Sequence, residues 1–425
     1  MANLNLLSNT NRVETPYVKV TIGDYTFGVM NQTDTEMKRD VRGSYKLRYV
    51  KFPNYIQSLK VVKINGQVNK YTLNISYPVS EKDDPNFFEK IFSSVKSTRA
   101  IKFTYGDMSA PTYMFKEEEA IITSIQQTFN RDSTIISYVV YATSSSVLAT
   151  QGSYSFPART ARPSEVIEEL LYNKTYGLLE VFSGMRDRDA VKSLNLLNGT
   201  DTVVSIEAKS NISPLDYLNY LVSCMTKGSN SINKPTVYSL VIVDESDTFY
   251  TNNGTNISLG GPYFKIVTVT RNIDSLQTYQ IDIGYPSQNV VLSFQVENNE
   301  SFSLYYDFQK TINDYEYVHR INDKGEFEEV YSPVLSTNGQ YRTNSSDETW
   351  WSKVTSFPIG ATLELKGLLR PAILMTHVRI NVLFYGKKHI SSGLYIITSQ
   401  TDDISASGYK TTFGLRKVAG DDEEL

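Results

Sequence analysis

The chain has 425 residues, long enough for two to four domains, and its 42 basic and 46 acidic groups leave a formal net charge of -4. That balance provides no global field for holding nucleic acid or an anionic membrane. The 30 tyrosines, with abundant Asn, Ser and Thr, lean the composition towards strands and loops, and the single Cys224 excludes an intrachain disulfide and any cysteine-rich metal site while fitting a product that folds in a reducing cytosol.

The opening segment, MANLNLLSNTNRVE, has neither a basic start nor a long apolar run, so no signal peptide is expected. No window approaches the roughly 20 apolar residues of a membrane helix. Residues 1–150 are expected to form an N-terminal β-barrel domain: YVKVTIGDYTFGV, SLKVVKING, YTLNISYPV, AIKFTYGD, AIITSIQQTF and TIISYVVYAT alternate β-branched or aromatic residues with polar ones. One helix interrupts them at DDPNFFEKIFSSV. Asp84 can cap it, Pro85 suits its first position, and Phe88, Ile91, Phe92 and Val95 share one face.

Residues 151–232 read as a helix-containing middle domain. In RPSEVIEELLYN the stripe is Val166, Ile167, Leu170 and Leu171; in SPLDYLNYLVSCM, Ser213 caps and Asp216 sits where a capping box places its acid. Cys224 lies on this second helix beside Leu221 and Met225, as a buried thiol would. Residues 233–420 are expected to form a C-terminal β-barrel domain. It begins with PTVYSLVIVDE and YFKIVTVTR, carries a polar, aromatic insertion at about 271–350, and resumes with TLELKG, HVRINVLFYG, GLYIITSQ and YKTTFGLRKV. In the last strand Thr411, Phe413 and Leu415 face one side, and Lys410, Thr412 and Arg416 the other. The connecting SQTDDISAS looks too long for a tight turn and too polar for burial, so an exposed loop is expected. An acidic tail, residues 421–425, follows.

Catalytic signals are absent. The three histidines, His319, His377 and His389, fit no short ligand motif, and Cys224 on an amphipathic helix is not an activated nucleophile. There is no G-x-S-x-G elbow and no Rossmann glycine pattern, and GYKTTF lacks the glycine that a phosphate cradle places before its lysine. DTFYTNNGTNIS carries one acid where a calcium loop needs several, and RDRD at 186–189 is a mixed-charge knot without motif value. Arg379, Lys387 and Lys388 cluster without the interleaved aromatics of a single-strand groove. The sequons at Asn74, Asn173 and Asn198 follow from composition. The acidic clusters EKDD, FKEEEA, VDESD and QTDD read as solvated loops or wet strand faces, although two well-placed carboxylates would suffice for a glycosidase. No catalytic, cofactor-binding or metal residues are assigned.

The order of β-domain, capped helices RPSEVIEELLYN and SPLDYLNYLVSCM, second β-domain with an insertion, and closing SGLYIITSQTDDISASGYKTTFGLRKV resembles the baseplate hub proteins of contractile-tailed bacteriophages and the hub part of related type VI secretion spike proteins. That resemblance implies a mainly β (α+β) fold. Two similar antiparallel β-barrel domains would lie in one chain, with a small helix-containing domain between them and an insertion in the second barrel. It also implies a non-enzymatic structural role: a homotrimeric, pseudo-sixfold ring joining the hexameric tail tube to the trimeric tail spike. The implied partners are the tail spike protein, tail tube protein, tape-measure protein and baseplate wedge proteins. DNA would only pass through the channel, no stable membrane insertion is expected, and the protein would belong to the virion after synthesis in the bacterial host cytoplasm. The alternatives carried beside it are a receptor- or carbohydrate-binding tail component, which exposed Trp and Tyr would favour although the only two tryptophans, Trp350 and Trp351, are adjacent at the mouth of an expected strand, and a tail-associated cell-wall hydrolase.

Overall fold

The computed structural model describes residues 16–29, 33–39, 45–51, 54–94, 100–107, 117–225, 237–245, 247–250, 256–269, 278–283, 290–298, 317–321, 327–331, 359–367 and 374–419. The expected front strands all form: β1 (Pro16–Ile22), β2 (Tyr25–Val29), β3 (Asn54–Ile64), β4 (Lys70–Pro78), β5 (Ala100–Asp107), β6 (Glu118–Phe129) and β7 (Ile135–Ser144). Alternation sends Val18, Val20 and Ile22 of β1, Leu59 and Val61 of β3, and Leu73 and Ile75 of β4 into one buried core. Helix α1 (Phe87–Ser94) stops that core with Phe88 and Ile91, and Asp84 accepts from Asn86 N–H at its start. Val95 lies outside the described residues.

Antiparallel neighbours run from β2 through β1, β5, β6, β7 and β4 to β3. β3 then meets β2 in parallel through two residue pairs alone, Gly28 with Asn54 and Val29 with Ile56. The front sheet therefore curls back on itself.

The middle segment folds as expected from its periodicity. Helix α2 (Pro163–Tyr172) buries Val166, Ile167, Leu170 and Leu171, and α3 (Pro214–Ser223) starts where the Ser213 hydroxyl accepts from Asp216 N–H. Cys224 is fully buried at the end of α3. β8 (Val237–Val243) and β9 (Tyr263–Val269), expected as strands of the rear barrel, instead pair with each other outside the main sheet. Leu240, Ile242, Phe264 and Ile266 face the helices, whereas Val241 on the opposite face of β8 joins the rear core. A short two-stranded ribbon with alternating burial serves both neighbours, which is why its sequence looked like a barrel strand.

The rear strands are β10 (Thr278–Ile283), β11 (Val291–Asn298), β12 (Ile359–Lys366), β13 (His377–Phe384), β14 (Gly393–Ser405) and β15 (Gly408–Ala419). Their order is β10-β13-β14-β15-β12-β11, with β10 parallel to β13 and the others antiparallel. Two of these strands come from the range read as an insertion: β10 and β11 are integral to the sheet. Strands Tyr317–Ile321 and Phe327–Tyr331 pair as a separate hairpin.

The expectation of two antiparallel barrels holds in class, mainly β, and not in architecture. Strands of both modules belong to a single 14-stranded sheet, and the rear run of pairings ends at β10 and β11 without meeting, among the described residues. The join is β3 with β14, in antiparallel register from Ile64 with Ser399 to Ser58 with Ser405. The exposed loop expected at SQTDDISAS is overturned by the same contact: Ser399 to Ser405 continue β14, and the link to β15 is the two-residue turn Ala406–Ser407. Ile404 and Tyr409 beside that turn are buried in the front core. Backbone paired on both edges needs no water, so a polar sequence can run through the interior.

The turn after β3 holds the three parts together. Gln67 N–H donates to Ile64 C=O (3.1 Å), closing the turn; Asn65 N–H donates to Thr398 C=O of the rear module (3.0 Å) and Gly66 N–H to Leu240 C=O of β8 (3.1 Å). Gly66 C=O accepts from the Asn219 amide of α3 (2.9 Å). Gly66 has φ +69°, and a Cβ there would stand 2.8 Å from Asn219 Oδ1. Gly66→Ala is expected to lower unfolding free energy by about 1–3 kcal/mol, from left-handed strain plus loss of the Asn219 contact; urea titration measures it.

Candidate functional site

Three of the four acidic clusters read as solvated meet in the interior. Glu118 of FKEEEA starts β6, Asp244 of VDESD follows β8, and Asp402 of QTDD lies on β14; all three are buried. They surround Lys63 on β3. Alternation explains the placement: Leu59, Val61 and Lys63 share one face, as do Glu118, Ala120 and Ile122, Leu240, Ile242 and Asp244, and Asp402 and Ile404. The fourth cluster, EKDD, stays at the surface, where Asp84 pairs with Lys90 at 2.5 Å.

Each carboxylate is held by named donors. Glu118 Oε1 accepts from Lys63 Nζ and from Tyr105 OH (3.1 Å), and Oε2 from Tyr71 OH (2.7 Å). Asp244 accepts from Ser144 Oγ and Asn69 Nδ2. Asp402 Oδ1 accepts from Tyr409 OH (2.9 Å) and Thr411 Oγ1 (2.7 Å), and Oδ2 from Gln400 Nε2 (2.6 Å). A backbone bridge between Glu118 and Glu245 brings the chain after β8 against β6. The Tyr71 ring stacks on Phe103 with centroids 4.7 Å apart, which fixes the hydroxyl towards the cluster.

Burial sets the protonation. It pulls Lys63 down, but the charges of Glu118 and Glu245 override it and hold the ammonium above its ordinary value. Burial pushes Asp244 up to about 6 against the opposing hydrogen bond from Ser144, and raises Asp402 against that from Thr411. Tyr71, Tyr105 and Tyr409 are driven well above the ordinary phenol range by burial and by the adjacent carboxylates, so they remain donors. Every carboxylate oxygen described here is already engaged by a protein donor. The arrangement ties front, middle and rear segments together.

The other residues raised by the sequence lie apart from it. His377, on β13, is half-buried, its Nε2 has no hydrogen-bond partner, and burial lowers it to about 4, leaving the ring neutral. His389 sits in an exposed turn, where Nδ1 accepts from Ser391 N–H at 3.2 Å. His319 is on strand Tyr317–Ile321, with its side chain outside the described residues, as are Trp350 and Trp351 altogether. Asp187 of RDRD caps the short helix Arg188–Ser193, and Arg188 lies 4.1 Å over the Tyr172 ring. The ends of DTFYTNNGTNIS pair as a hairpin. Among the described residues no group of three His, Cys, Asp or Glu side chains could hold a metal, and no helix is long and apolar enough to cross a membrane.

No family model matches the sequence, and no curated protein matches it. Similar solved structures are found over most of the chain. The tail protein from Neisseria meningitidis MC58 shares 8% identity with a TM-score of 0.46, over 95% of this chain and 96% of that one. The 43 kDa tail protein of prophage MuSo2 from Shewanella oneidensis shares 8% at 0.45, over 96% and 99%. The E. coli c3393 protein, described as a type VI secretion component similar to the T4 tail proteins gp27 and gp5, shares 10% at 0.40, over 95% and 78%. The structural neighbours are phage tail and type VI secretion proteins. None of these descriptions names an enzymatic activity.

Two outcomes follow from the cluster. Lys63→Met is expected to cost about 2–4 kcal/mol, below the cost of a fully buried pair because the lysine side chain keeps 22% of its exposure, and Lys63→Met with Glu118→Gln is expected to recover part of that loss in a double-mutant cycle. For Asp244 the folded-state value lies above the unfolded one of 3.8, so its protonation contributes stability that is complete below that value and lost as pH rises through about 6. Asp244→Asn is therefore expected to flatten the pH dependence of unfolding free energy between about pH 4 and 7 relative to the unaltered protein, read by urea titration across that range.

Proposed function

We propose that this chain is a structural component of a phage tail or a related injection machine, acting as the central hub between tube and spike. The observation that carries the reading is the local two-fold relation across the seam. β3 pairs β4 along one edge, while its other edge pairs first β2 of its own module and then β14 of the other. β14 pairs β15 along one edge, while its other edge pairs first β13 of its own module and then β3. Each module thus extends a hairpin that changes partner halfway and completes its neighbour. The parallel is in connectivity and not in every direction, since β2 runs parallel to β3 whereas β13 runs antiparallel to β14.

Two modules related in this way, repeated threefold, place six comparable faces around an axis. Such a ring adapts a hexameric tube above to a trimeric spike below and leaves a channel for DNA. In this reading the front module is 1–150 and the rear module draws its sheet from the 233–420 range except for the β8–β9 ribbon, which packs with the 151–232 segment, with the acidic tail after them; the partners are two further copies, the tail spike and tube proteins, the tape-measure protein and baseplate wedge proteins. The protein would reside in the virion tail. The committed carboxylates of the Lys63 cluster support a scaffold over a hydrolase, because a general acid needs an oxygen that can reach substrate.

Size-exclusion chromatography with light scattering is expected to give a trimer, alone or with the spike protein, and particle averages viewed along the axis are expected to show six similar lobes. A strict monomer under both conditions would end the hub reading.

A further inference from the structure

Two Asn-Gly pairs lie among the described residues, Asn65-Gly66 and Asn198-Gly199, and the fold treats them in opposite ways. Asparagine before glycine is chemically labile, because glycine has no Cβ to hinder attack of its own backbone nitrogen on the preceding carboxamide. Attack needs that nitrogen free of other duties and a turn loose enough to bring it to Cγ. Asn65-Gly66 offers neither. Gly66 N–H is committed to Leu240 C=O and Asn65 N–H to Thr398 C=O, while the Asn65 carboxamide donates to Ser239 Oγ. That pair is locked into the joint of front, middle and rear segments.

Asn198-Gly199 offers both. It lies between the short helix Arg188–Ser193 and the strand Val204–Ile206. Gly199 is exposed, and its N–H donates to no group among the described residues. Asn198 is half-buried at φ +46°; its Oδ1 accepts from Thr200 Oγ1 at 2.9 Å and its C=O from Thr200 N–H at 2.7 Å. The Thr200 hydroxyl thus stands on the oxygen that gains negative charge when Cγ becomes tetrahedral. The chain is anchored on either side of the turn. Leu196 and Leu197 belong to the helical core, with Leu196 C=O accepting from Ile266 N–H at 2.7 Å, and buried Asp201 accepts from Ser164 N–H (2.9 Å) and Ser164 Oγ at the start of α2.

We infer that Asn198 is a site of spontaneous deamidation, at which the Gly199 nitrogen attacks Asn198 Cγ and the turn becomes a mixture of aspartate and isoaspartate. The Gly199 N–Cγ bond forms as the Cγ–Nδ2 bond breaks; the Gly199 amide proton passes to solvent hydroxide, and the carboxamide nitrogen takes a proton from water and leaves as ammonia. Water then opens the five-membered imide at either carbonyl, giving aspartate or isoaspartate with no change of oxidation state. The product carries a new negative charge, and isoaspartate lengthens the main chain between the two anchors. That added length slackens the hold of Asp201 on the start of α2. The site lies wholly in the middle segment and would age in the same way in a monomer, so it stands apart from the hub reading.

Ageing the folded chain in mildly alkaline buffer and mapping its peptides by mass spectrometry, with enzymatic methylation to count isoaspartate, tests it. Conversion at Asn198 is expected to run at least about tenfold faster than at Asn65, because only Asn65 must wait for local opening. In urea the two rates are expected to converge. Gly199→Ala, whose Cβ would meet nothing nearer than Ser164 Oγ at 3.9 Å, is expected to slow conversion at Asn198 about tenfold in the folded chain, and Thr200→Val about two- to fivefold. The Ser164 amide hydrogen is expected to exchange with solvent about twofold faster or more in the aged protein than in the fresh one. Equal rates at Asn65 and Asn198 in the folded chain overturn the inference, as does conversion that Gly199→Ala leaves untouched. Unchanged exchange at Ser164 after conversion overturns the slackening of α2.

Discussion

A buried ammonium is tolerable only where opposite charge and hydrogen-bond acceptors are delivered to it together, and Lys63 obtains them from segments far apart in the chain. Glu118 comes from the front sheet, Asp244 and Glu245 from the end of the ribbon strand, and Asp402 from the rear sheet. Withdrawing any one segment leaves charge in the interior without its partner. The modules are therefore mutually dependent in a way that apolar contact alone would not enforce, since greasy faces can slide and charges with fixed donors cannot.

Strand pairing supplies direction to that dependence. A free edge exposes backbone donors and acceptors to any passing strand, and here the edge of β3 beyond β2 is covered by β14. Ile404 and Tyr409 enter the front core from the rear hairpin, so the seam combines pairing, packing and charge at one place. The turn at Asn65 and Gly66 adds contacts to the ribbon and to α3, which positions the helical segment against the same joint.

How much of this was legible depends on range. The front strands, the three helices and the cap at Ser213 could be read because each is decided within about a dozen residues by alternation, helical spacing or local hydrogen bonding. The carboxylates were misread because a charge in a polar stretch ordinarily faces water. The signal that would have found them was parity: Asp402 keeps step with Ile404, Glu118 with Ala120 and Ile122, and Asp244 with Leu240 and Ile242. Composition pointed outward, whereas phase pointed inward, and phase was right.

The amino-acid order by itself determined that the chain is mainly β with a capped helical interval, that Cys224 is buried, and which face of each front strand turns inward, because these follow from short-range sterics and periodicity. Tertiary structure alone decided that the two β-modules share one continuous sheet, that β8 and β9 serve the helices, and that SQTDDISAS runs through the interior as a strand. Those outcomes rest on contacts beyond the span of a single element, such as that between Ser58–Ile64 and Ser399–Ser405, and the free energy that turns Asp402 inward belongs jointly to Thr411 and Tyr409 of the adjoining strand and to Lys63 across the seam.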